Sequence, residues 1–290
     1  MMQHPATSLS PTSIETLREK DIRLLVLDID GTIAGESNQI NGAVKQAVKA
    51  VQEKGIQVAI ATGRMYRSAL RFHQEIGSTL PLMTYQGALI KDPADENVHR
   101  HWAVSRQAAL QLLDYFEEPA HRADLSIHFY IDDRLYIRQM SPETELYAER
   151  SGIEPIAVGD LRSTLDREPT KILAFSQNTG LIDQLLGSLR KRYTPAELYF
   201  TKSVATFLEA TNPLVNKGTA VQYLAEELLG LTADNVMTVG DNFNDLEMLV
   251  YAGIGVAMGD APIEVKAMAQ WVAPSVENDG VVAAIETFLL

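Results

Sequence analysis

The sequence predicts an α/β protein built on a parallel sheet, into which a separate α+β module is inserted. Segments of strand and helix pattern alternate from residue 22, and the same alternation returns after residue 217. Between these stretches, from about residue 88 to residue 210, hairpin patterns are mixed with helices. Alternating strands and helices are typical of parallel sheets with right-handed crossovers, whereas the mixed pattern is typical of α+β domains.

Length and composition allow one large domain or two smaller ones. The chain has 290 residues, 46% of them hydrophobic, which is enough for a substantial core. Its apolar runs are too short to span a membrane. The first twenty residues are rich in Ser, Thr and Pro and lack the basic start and apolar centre of a signal peptide. We therefore expect a flexible tail with one short helix over 1–20.

Charge and cysteine content limit the possible partners. A net charge of −13 argues against nucleic acid or an anionic membrane as a partner. An anionic substrate would therefore need local positive charge, from a metal ion or a placed Lys or Arg. The chain has no cysteine, which excludes disulfides and thiolate metal sites and agrees with a cytoplasmic location. We expect a monomer or a weak homodimer.

The predicted sheet begins with four consecutive apolar residues, 24–27, a pattern typical of a strand buried on both faces. Asn41 is a candidate N-cap for the next helix, whose apolar residues recur at helical spacing from Ala43 to Val51 before Gly55 ends it. The same rhythm then predicts a strand over 56–61, a helix to about residue 74 and a third strand of the parallel sheet over 80–85.

The middle of the chain carries a different pattern. Residues 91–100 are polar and predict a loop. Two runs rich in β-branched and aromatic residues flank Asp132 and Asp133, which predicts a hairpin that turns at these two residues. The remaining segments predict helices over 105–117, 143–150 and 181–191, and strands over 171–175, 198–200 and 205–209.

In the last part of the chain, strand and helix patterns alternate again as they do in the first part. This alternation predicts helices over 217–229, 245–250, 262–268 and 281–289, and strands over 236–239 and 254–258. The predicted domains are therefore a core over 21–86 and 211–290 and an inserted domain over 87–210.

The strand at 24–27 runs directly into two carboxylates, Asp28 and Asp30. Ligands of open α/β sheets bind beyond the carboxyl ends of the strands. Two acids at this spacing repel each other unless a cation or a shared proton relieves them. A site with a divalent metal, a nucleophile and an acid–base group is one interpretation. An ordinary turn is the other, because Asp-Gly is common turn chemistry.

Three further places put polar groups beside strands of the same sheet. Thr62 precedes Gly63 at a predicted helix start, where a hydroxyl and backbone N–H groups can hold an anion. Lys217 lies at another helix start, where the helix dipole disfavours a positive charge. A phosphate bound there would favour a lysine at this position. The run from Gly240 to Asp245 supplies clustered oxygen ligands, which suit a hard cation such as Mg²⁺. Each is also compatible with a plain cap, a solvated lysine or an acidic turn.

These four places together resemble the motifs of the haloacid dehalogenase superfamily of phosphatases: Asp28-Ile29-Asp30-Gly31-Thr32, Thr62-Gly63-Arg64, Lys217-Gly218 and Gly240-Asp241-Asn242-Phe243-Asn244-Asp245. Segments 85–90 and 277–281 further resemble the Cof-type branch, whose large cap is inserted between the second and third motifs. The resemblance covers about residues 22–290. It implies a Rossmann-like three-layer core with a parallel sheet and an inserted α+β cap domain. Gln86 departs from the branch, which commonly has Asn before the Gly at position 87.

The resemblance implies phosphoryl transfer through an aspartyl-phosphate. Asp28 would be the nucleophile. Asp30 would protonate the leaving group and then activate water. Mg²⁺ would be held by Asp28, the backbone carbonyl of Asp30 and Asp241, and Asp245 would lie in or beside this set of ligands.

The resemblance also implies which groups hold the phosphoryl oxygens: Thr62, the Gly63 N–H and Lys217, with Asn244 beside them. The cap would close over the site and restrict it to small phosphorylated metabolites. Sugar phosphates are the first expectation, and phosphorylated cofactors such as flavin mononucleotide or pyridoxal phosphate come next.

Two alternative functions stay open at this point. Within the superfamily, the protein could be a phosphomutase or a dedicated phosphatase of a sugar-phosphate biosynthetic pathway. Outside enzymes, it could be a binding or regulatory protein on the same fold, against which the complete set of motif residues argues. Lesser candidates are Arg64 for substrate contact, Glu209 as a structural ion-pair partner, and the hairpin residues His128, Tyr130 and Arg138.

Overall fold

The computed structural model describes residues 11–290. The α-helices of this part of the chain are, in order, α1 (Pro11–Arg18), α2 (Gly42–Glu53), α3 (Tyr66–Glu75), α4 (Arg106–Phe116), α5 (Pro142–Ser151), α6 (Thr179–Arg192), α7 (Lys217–Gln222), α8 (Leu246–Tyr251), α9 (Ile263–Met268) and α10 (Gly280–Phe288). The strands are β1 (Leu24–Leu27), β2 (Gln57–Ile60), β3 (Leu82–Thr84), β4 (Leu89–Lys91), β5 (Val98–His101), β6 (Ser126–Ile131), β7 (Arg134–Ile137), β8 (Ile156–Ala157), β9 (Lys171–Phe175), β10 (Tyr199–Thr201), β11 (Phe207–Thr211), β12 (Val236–Gly240), β13 (Ile254–Ala257) and β14 (Trp271–Val272).

The described chain divides into two compact units. The first contains residues 11–62, 71–82 and 217–290, and the second contains residues 63–70 and 83–216. The sequence-based domain boundaries given above stay a prediction. Residues 1–10 of the predicted tail lie outside the described residues, and α1 corresponds to the short helix expected in that segment. Among residues 11–290, no helix combines the length and the apolar character that crossing a bilayer requires.

The first unit is built on a five-stranded parallel sheet of order β14-β13-β12-β1-β2. Strand β1 lies between β12 and β2, with Leu27 opposite both Val239 and Ile60. Every residue of β1 is buried, as a parallel strand covered on both faces requires. Because these three strands run in the same direction, the residues that follow them meet at one edge of the sheet.

Helix α2 shows why the local sequence folds as predicted. The Asn41 side chain accepts a hydrogen bond from the Val44 N–H at 2.8 Å, which caps the first turn. The apolar stripe is buried on one face of the helix: Val44, Ala47, Val48 and Val51. Gly55 follows the helix with φ 85°, a left-handed conformation that glycine adopts without strain. The predicted cap and end of this helix are confirmed, and so is the predicted stripe except for Ala43, which is exposed.

The prediction that the third strand joins the parallel sheet is wrong. Strand β3 belongs to a three-stranded sheet of order β3-β4-β5. It has only three residues, and Tyr85, Gln86 and Gly87 directly after it have φ of 53°, 64° and 97°. Three successive left-handed residues reverse the chain into β4. The polar segment 91–100 is likewise not only a loop, because β5 pairs antiparallel with β4. Its sequence is polar because β5 and the turn before it are partly or fully exposed.

The second unit is an α+β module with a six-stranded sheet of order β10-β11-β9-β6-β7-β8. Strands β6 and β7 form the predicted hairpin, which turns at Asp132 and Asp133 with φ of 51° and 54°. One face of the sheet and the helices α4 and α6 enclose an apolar core that includes Ile172, Ala174 and Leu208. The predicted helices and strands of this region are present, while the two-residue strands β8 and β14 carry too short a pattern to be predicted.

Candidate active site

Asp28 lies directly after β1, at the edge where neighbouring strands of the sheet end. Its N–H donates to the Val239 carbonyl at 3.1 Å, so the backbone continues the β1–β12 pairing. The residue is only 4% exposed. Burial raises the pKa of Asp28 to about 7, although Lys217 opposes this shift. A carboxylate at this position therefore needs positive charge nearby to stay ionised at neutral pH.

Lys217 supplies part of that charge. This lysine begins α7 and is fully buried, with its Nζ 2.7 Å from Asp28 Oδ1 and 2.5 Å from Asp245 Oδ1. Burial lowers the pKa of Lys217, but Asp245 and Asp28 raise it by more, so it lies above its ordinary value. The next residue, Gly218, allows this placement. A Cβ there would lie 2.6 Å from the Glu247 backbone, so only glycine lets α7 approach α8 so closely.

Asp245 fixes the loop after β12 and, with it, Asp241. Its Oδ2 accepts from the N–H groups of Asp241 at 2.9 Å and Asn242 at 3.0 Å. Two glycines leave room for these acids. A Cβ on Gly240 would lie 2.5 Å from the Asp245 carboxyl carbon, and a Cβ on Gly31 would lie 2.3 Å from Asp241 Oδ2. The glycines of both motifs are therefore required by close approach of a carboxylate.

The three acids form a candidate cation site. One carboxylate oxygen each from Asp28, Asp241 and Asp245 lies within 4.8 Å of the others. Burial, Asp245 and Asp28 raise the pKa of Asp241 well above its ordinary value. Three clustered carboxylates against the single ammonium of Lys217 leave an excess of negative charge. An all-oxygen set of this kind fits a hard divalent cation such as Mg²⁺.

The other predicted site residues of the first unit lie on the neighbouring loops. Asp30 follows Asp28 by two residues and is half-buried, in a turn where the Gly31 N–H donates to the Ala34 carbonyl at 2.9 Å. Thr62, 1% exposed, follows β2 beside β1. Asn244, 4% exposed, lies in the 3₁₀ turn that contains Asp245. These residues thus follow three adjacent strands or lie one turn beyond them.

Gly63 belongs to the second unit, where its carbonyl is bound by a residue outside the four motifs. Its carbonyl accepts a hydrogen bond from Lys171 Nζ at 2.6 Å. Lys171 also pairs with Glu209 at 2.8 Å, and both side chains are buried. The pairing agrees with the structural role expected for Glu209. A lysine at the head of the apolar run 171–175 was the signal in the sequence that could have pointed to this contact.

The hairpin candidates have different surroundings. His128 and Tyr130 are fully buried, and Arg138 is exposed and lies 3.6 Å from Glu117. The Nε2 atom of His128 lies 2.9 Å from the Thr144 hydroxyl. Burial, with a contribution from Lys171, lowers the pKa of His128 to about 3. The histidine is therefore neutral at physiological pH.

Comparison with known proteins agrees with the motifs. Residues 25–285 match the family described as haloacid dehalogenase-like hydrolase. The chain is 28% identical over 271 residues to the 5-amino-6-(5-phospho-D-ribitylamino)uracil phosphatase YitU of Bacillus subtilis, covering 91% of this chain and 97% of that protein. A solved structure from Thermotoga maritima is 27% identical, with a TM-score of 0.75 and coverage of 91% and 97%.

A solved sugar phosphatase of subclass IIB of the same superfamily shares the fold, with a TM-score of 0.76, 22% identity and coverage of 92% of this chain and 98% of that chain. The α/β class, the parallel-sheet core and the inserted cap domain predicted from the sequence are thereby confirmed. The chain belongs to the haloacid dehalogenase-like hydrolases, in the Cof-type branch that its motifs predict, and is a phosphoric monoester hydrolase.

Proposed function

We propose that this protein is a Mg²⁺-dependent phosphatase that hydrolyses small phosphorylated metabolites through an aspartyl-phosphate on Asp28. The observation that carries the proposal is the buried cluster at the ends of β1 and β12, in which Lys217 is shared by Asp28 and Asp245 beside Asp241. Phosphoryl transfer needs positioned groups and compensated charge more than elaborate chemistry, and this cluster supplies both.

Asp28 is the nucleophile of the first step. One of its carboxylate oxygens forms a bond to phosphorus as the bond from phosphorus to the leaving oxygen breaks. Lys217, 2.7 Å from Oδ1, favours the ionised carboxylate that this attack requires. Asp30 donates a proton to the leaving oxygen, which departs as an alcohol. Its position in the turn after β1, half-buried, suits a group that exchanges protons with substrate and solvent.

The second step returns the enzyme to its starting state. The carboxylate of Asp30, now deprotonated, takes a proton from a water molecule as the water oxygen attacks phosphorus. The bond from phosphorus to Asp28 breaks, inorganic phosphate leaves, and the Asp28 carboxylate is restored. One residue thus acts first as acid and then as base.

The cation site completes the charge balance. Asp28, Asp241 and the backbone carbonyl of Asp30 are the proposed Mg²⁺ ligands, and Asp245 orients this set through its bonds to the loop N–H groups. When bound, Mg²⁺ supplies positive charge against the phosphoryl oxygens. Lys217, the Thr62 hydroxyl and the Gly63 N–H are the proposed protein donors to those oxygens, with Asn244 beside them.

A panel of phosphorylated metabolites, scored for released phosphate with Mg²⁺ present, tests this proposal. Sugar phosphates come first in the panel. Beside them we place 5-amino-6-(5-phospho-D-ribitylamino)uracil, which the name of the relative YitU specifies for that enzyme, and then flavin mononucleotide and pyridoxal phosphate. Release of phosphate by the wild type and none by Asp28→Asn supports the proposal.

The same panel separates the competing functions. A phosphorylated product without free phosphate would instead indicate a phosphomutase. No turnover of any member, together with specific binding of one of them, would indicate a non-enzymatic binding protein. A cytoplasmic location is part of the proposal and is supported by the cysteine-free sequence.

A further inference from the structure

We propose that Lys171, Glu209 and Gln86 form a positioning device that holds the Gly63 peptide in the conformation needed for phosphoryl binding. The inference rests on the proposed function, in which the Gly63 N–H is a donor to the phosphoryl group. All members of the device and Gly63 lie in the second unit. None of the three side chains belongs to the motifs that carry the chemistry.

Lys171 acts on Gly63 directly. The ammonium group has three N–H donors, and two of its partners are the Gly63 carbonyl at 2.6 Å and Glu209 Oε2 at 2.8 Å. It also lies 4.8 Å from the centre of the Tyr130 ring, within the range of a cation–π contact. A charged donor on the Gly63 carbonyl fixes the plane of the peptide between Gly63 and Arg64, because that peptide unit is rigid. The Gly63 N–H belongs to the preceding peptide, so this contact constrains it through φ and ψ of Gly63, the two dihedral angles that join the two planes.

Glu209 pairs with Lys171, and Gln86 contacts both Glu209 and Gly63. Gln86 Nε2 donates to Glu209 Oε2 at 3.2 Å, and the Ser203 hydroxyl donates to Glu209 Oε1. Gln86 also packs on Gly63, since a Cβ there would lie 2.3 Å from Gln86 Nε2. The φ of Gly63 lies outside the left-handed region, so the Gln86 amide, and not the backbone conformation, would have to move to admit a side chain at this position.

The placement argues for a positioning role beyond general stability. On β9 and β11, Ile172, Leu208 and Ala210 point into the apolar core of the unit, so the alternating residues Lys171 and Glu209 lie on the opposite face of the sheet. Burying an ion pair costs desolvation that apolar side chains avoid, so such a pair is weak evidence for a stabilising purpose.

The backbone conformation at Gln86 points the same way. Gln86 keeps φ 64°, a conformation that costs a residue other than glycine energy and persists only where its surroundings enforce it. Its side chain reaches Glu209 Oε2 at 3.2 Å, and its amide lies against Gly63. Gln86 is therefore the residue that links Gly63 to the ion pair.

The first test is Gln86→Asn, which keeps the amide and shortens its reach. With p-nitrophenyl phosphate as substrate and Mg²⁺ present, we expect the inhibition constant for inorganic phosphate and the KM to rise about tenfold, the worth of one well-placed hydrogen bond. The melting temperature should change little. The double variant Lys171→Met/Glu209→Gln removes both charges together, which avoids leaving one buried and unpaired. It should show the same loss of phosphate affinity.

Arg162→Met is the matched control. Arg162 forms ion pairs with Asp114 at 2.5 Å and Glu117 at 2.8 Å in the same unit, without contact to Gly63. We expect it to lower the melting temperature and leave the inhibition constant for phosphate unchanged. If the Gln86 and Lys171/Glu209 variants behave like Arg162→Met, the ion pair is purely structural and the proposal is overturned.

A readout independent of catalysis separates this inference from the proposed function. The NMR resonance of the Gly63 carbonyl carbon, assigned with selectively labelled glycine, reports its hydrogen bond to Lys171 without any substrate. It should shift in both device variants and stay in place in Arg162→Met. If the wild type hydrolyses no phosphate ester, the proposed function fails while this resonance still tests the device. An unmoved resonance in the double variant contradicts the device, whatever the activity.

Discussion

Each unit of this protein buries a lysine, but the two lysines have different charged neighbours. In the first unit Lys217 is shared by Asp28 and Asp245, with Asp241 beside them, so negative charge is in excess. In the second unit Lys171 meets one carboxylate, that of Glu209, and its remaining contacts are a backbone carbonyl and aromatic rings. The first arrangement has an excess of negative charge that a further cation would balance, whereas the second is balanced within the protein. Charge balance therefore distinguishes the proposed catalytic site from the proposed positioning contact.

The largest effect is expected from Asp28→Asn. Turnover of p-nitrophenyl phosphate should fall to background because the nucleophile is lost. The melting temperature of the metal-free protein should not fall, because the pKa of Asp28, raised to about 7, means that its burial disfavours the ionised form. Glu209→Gln is the contrast, since it leaves Lys171 buried without its charge partner and should lower stability. Hydrolysis by Asp28→Ala at the wild-type rate would contradict the assignment of Asp28 as the nucleophile.

Metal removal tests the charge excess itself. Excess chelator should abolish hydrolysis, and added Mg²⁺ should restore it. Calorimetric titration with Mg²⁺ should show affinity weakened by tenfold or more in Asp241→Asn, because losing even a residue that only orients a metal ligand typically costs about 10–100-fold. Glu209→Gln should bind Mg²⁺ as the wild type does. Full activity in chelator would remove the cation from the mechanism. An equal loss of Mg²⁺ affinity in both variants would show that the Lys217 and Lys171 clusters do not differ in cation binding.

Thr62→Val should cost roughly 2–4 kcal/mol in kcat/KM, by analogy with the loss of an oxyanion-hole donor. The change keeps the shape of the side chain and removes only the hydroxyl. Thr62→Ser, which keeps the hydroxyl, should recover most of the activity. Thr164→Val is a matched buried threonine of the second unit, whose hydroxyl donates to the Leu161 carbonyl at 2.8 Å, and it should leave kcat/KM unchanged. Equal losses in Thr62→Val and Thr164→Val would refute a phosphate contact.

The last prediction concerns the pH dependence of stability in the second unit. Because burial lowers the pKa of His128 from 6.5 to about 3, the folded state binds fewer protons than the unfolded state between these values. Stability should therefore be complete above about pH 6.5 and fall on acidification, by up to about 1.4 kcal/mol per pH unit. Denaturant unfolding of wild type and His128→Gln should show a difference that is constant above pH 7 and shrinks towards pH 4. Parallel curves over this range would contradict a buried, neutral histidine.

Much of the first unit could be predicted because its signals are local. The run from Leu24 to Leu27 predicts a buried strand by itself, and Asn41 indicates the start of α2 because its side chain caps the helix. The acids and the threonine follow strand ends, and parallel strands bring such ends to one edge whatever the rest of the chain does. The family and the candidate site residues therefore follow from short stretches of sequence.

The failures share one cause, which is that turn conformation and the partner strand decide the pairing, and hydrophobic periodicity does not report either. Strand β3 carries the pattern of a buried strand but is turned into another sheet by the left-handed residues Tyr85 and Gln86. Strand β5 is polar because it is exposed, and only its pairing with β4 makes it a strand. Hydrophobic periodicity predicts neither outcome.

The class of fold, the family and the candidate site residues can be predicted from the sequence alone, because motifs and strand ends are local properties of the chain. Which charged groups pair with one another depends on the tertiary structure. Lys217 reaches an acid 28 positions away, Lys171 reaches a carbonyl 108 positions away, and Gln86 reaches a carboxylate 123 positions away. Burial, charge balance and the resulting pKa shifts depend on these distant neighbours, since the energy of a charge inside a protein is set by what surrounds it in space.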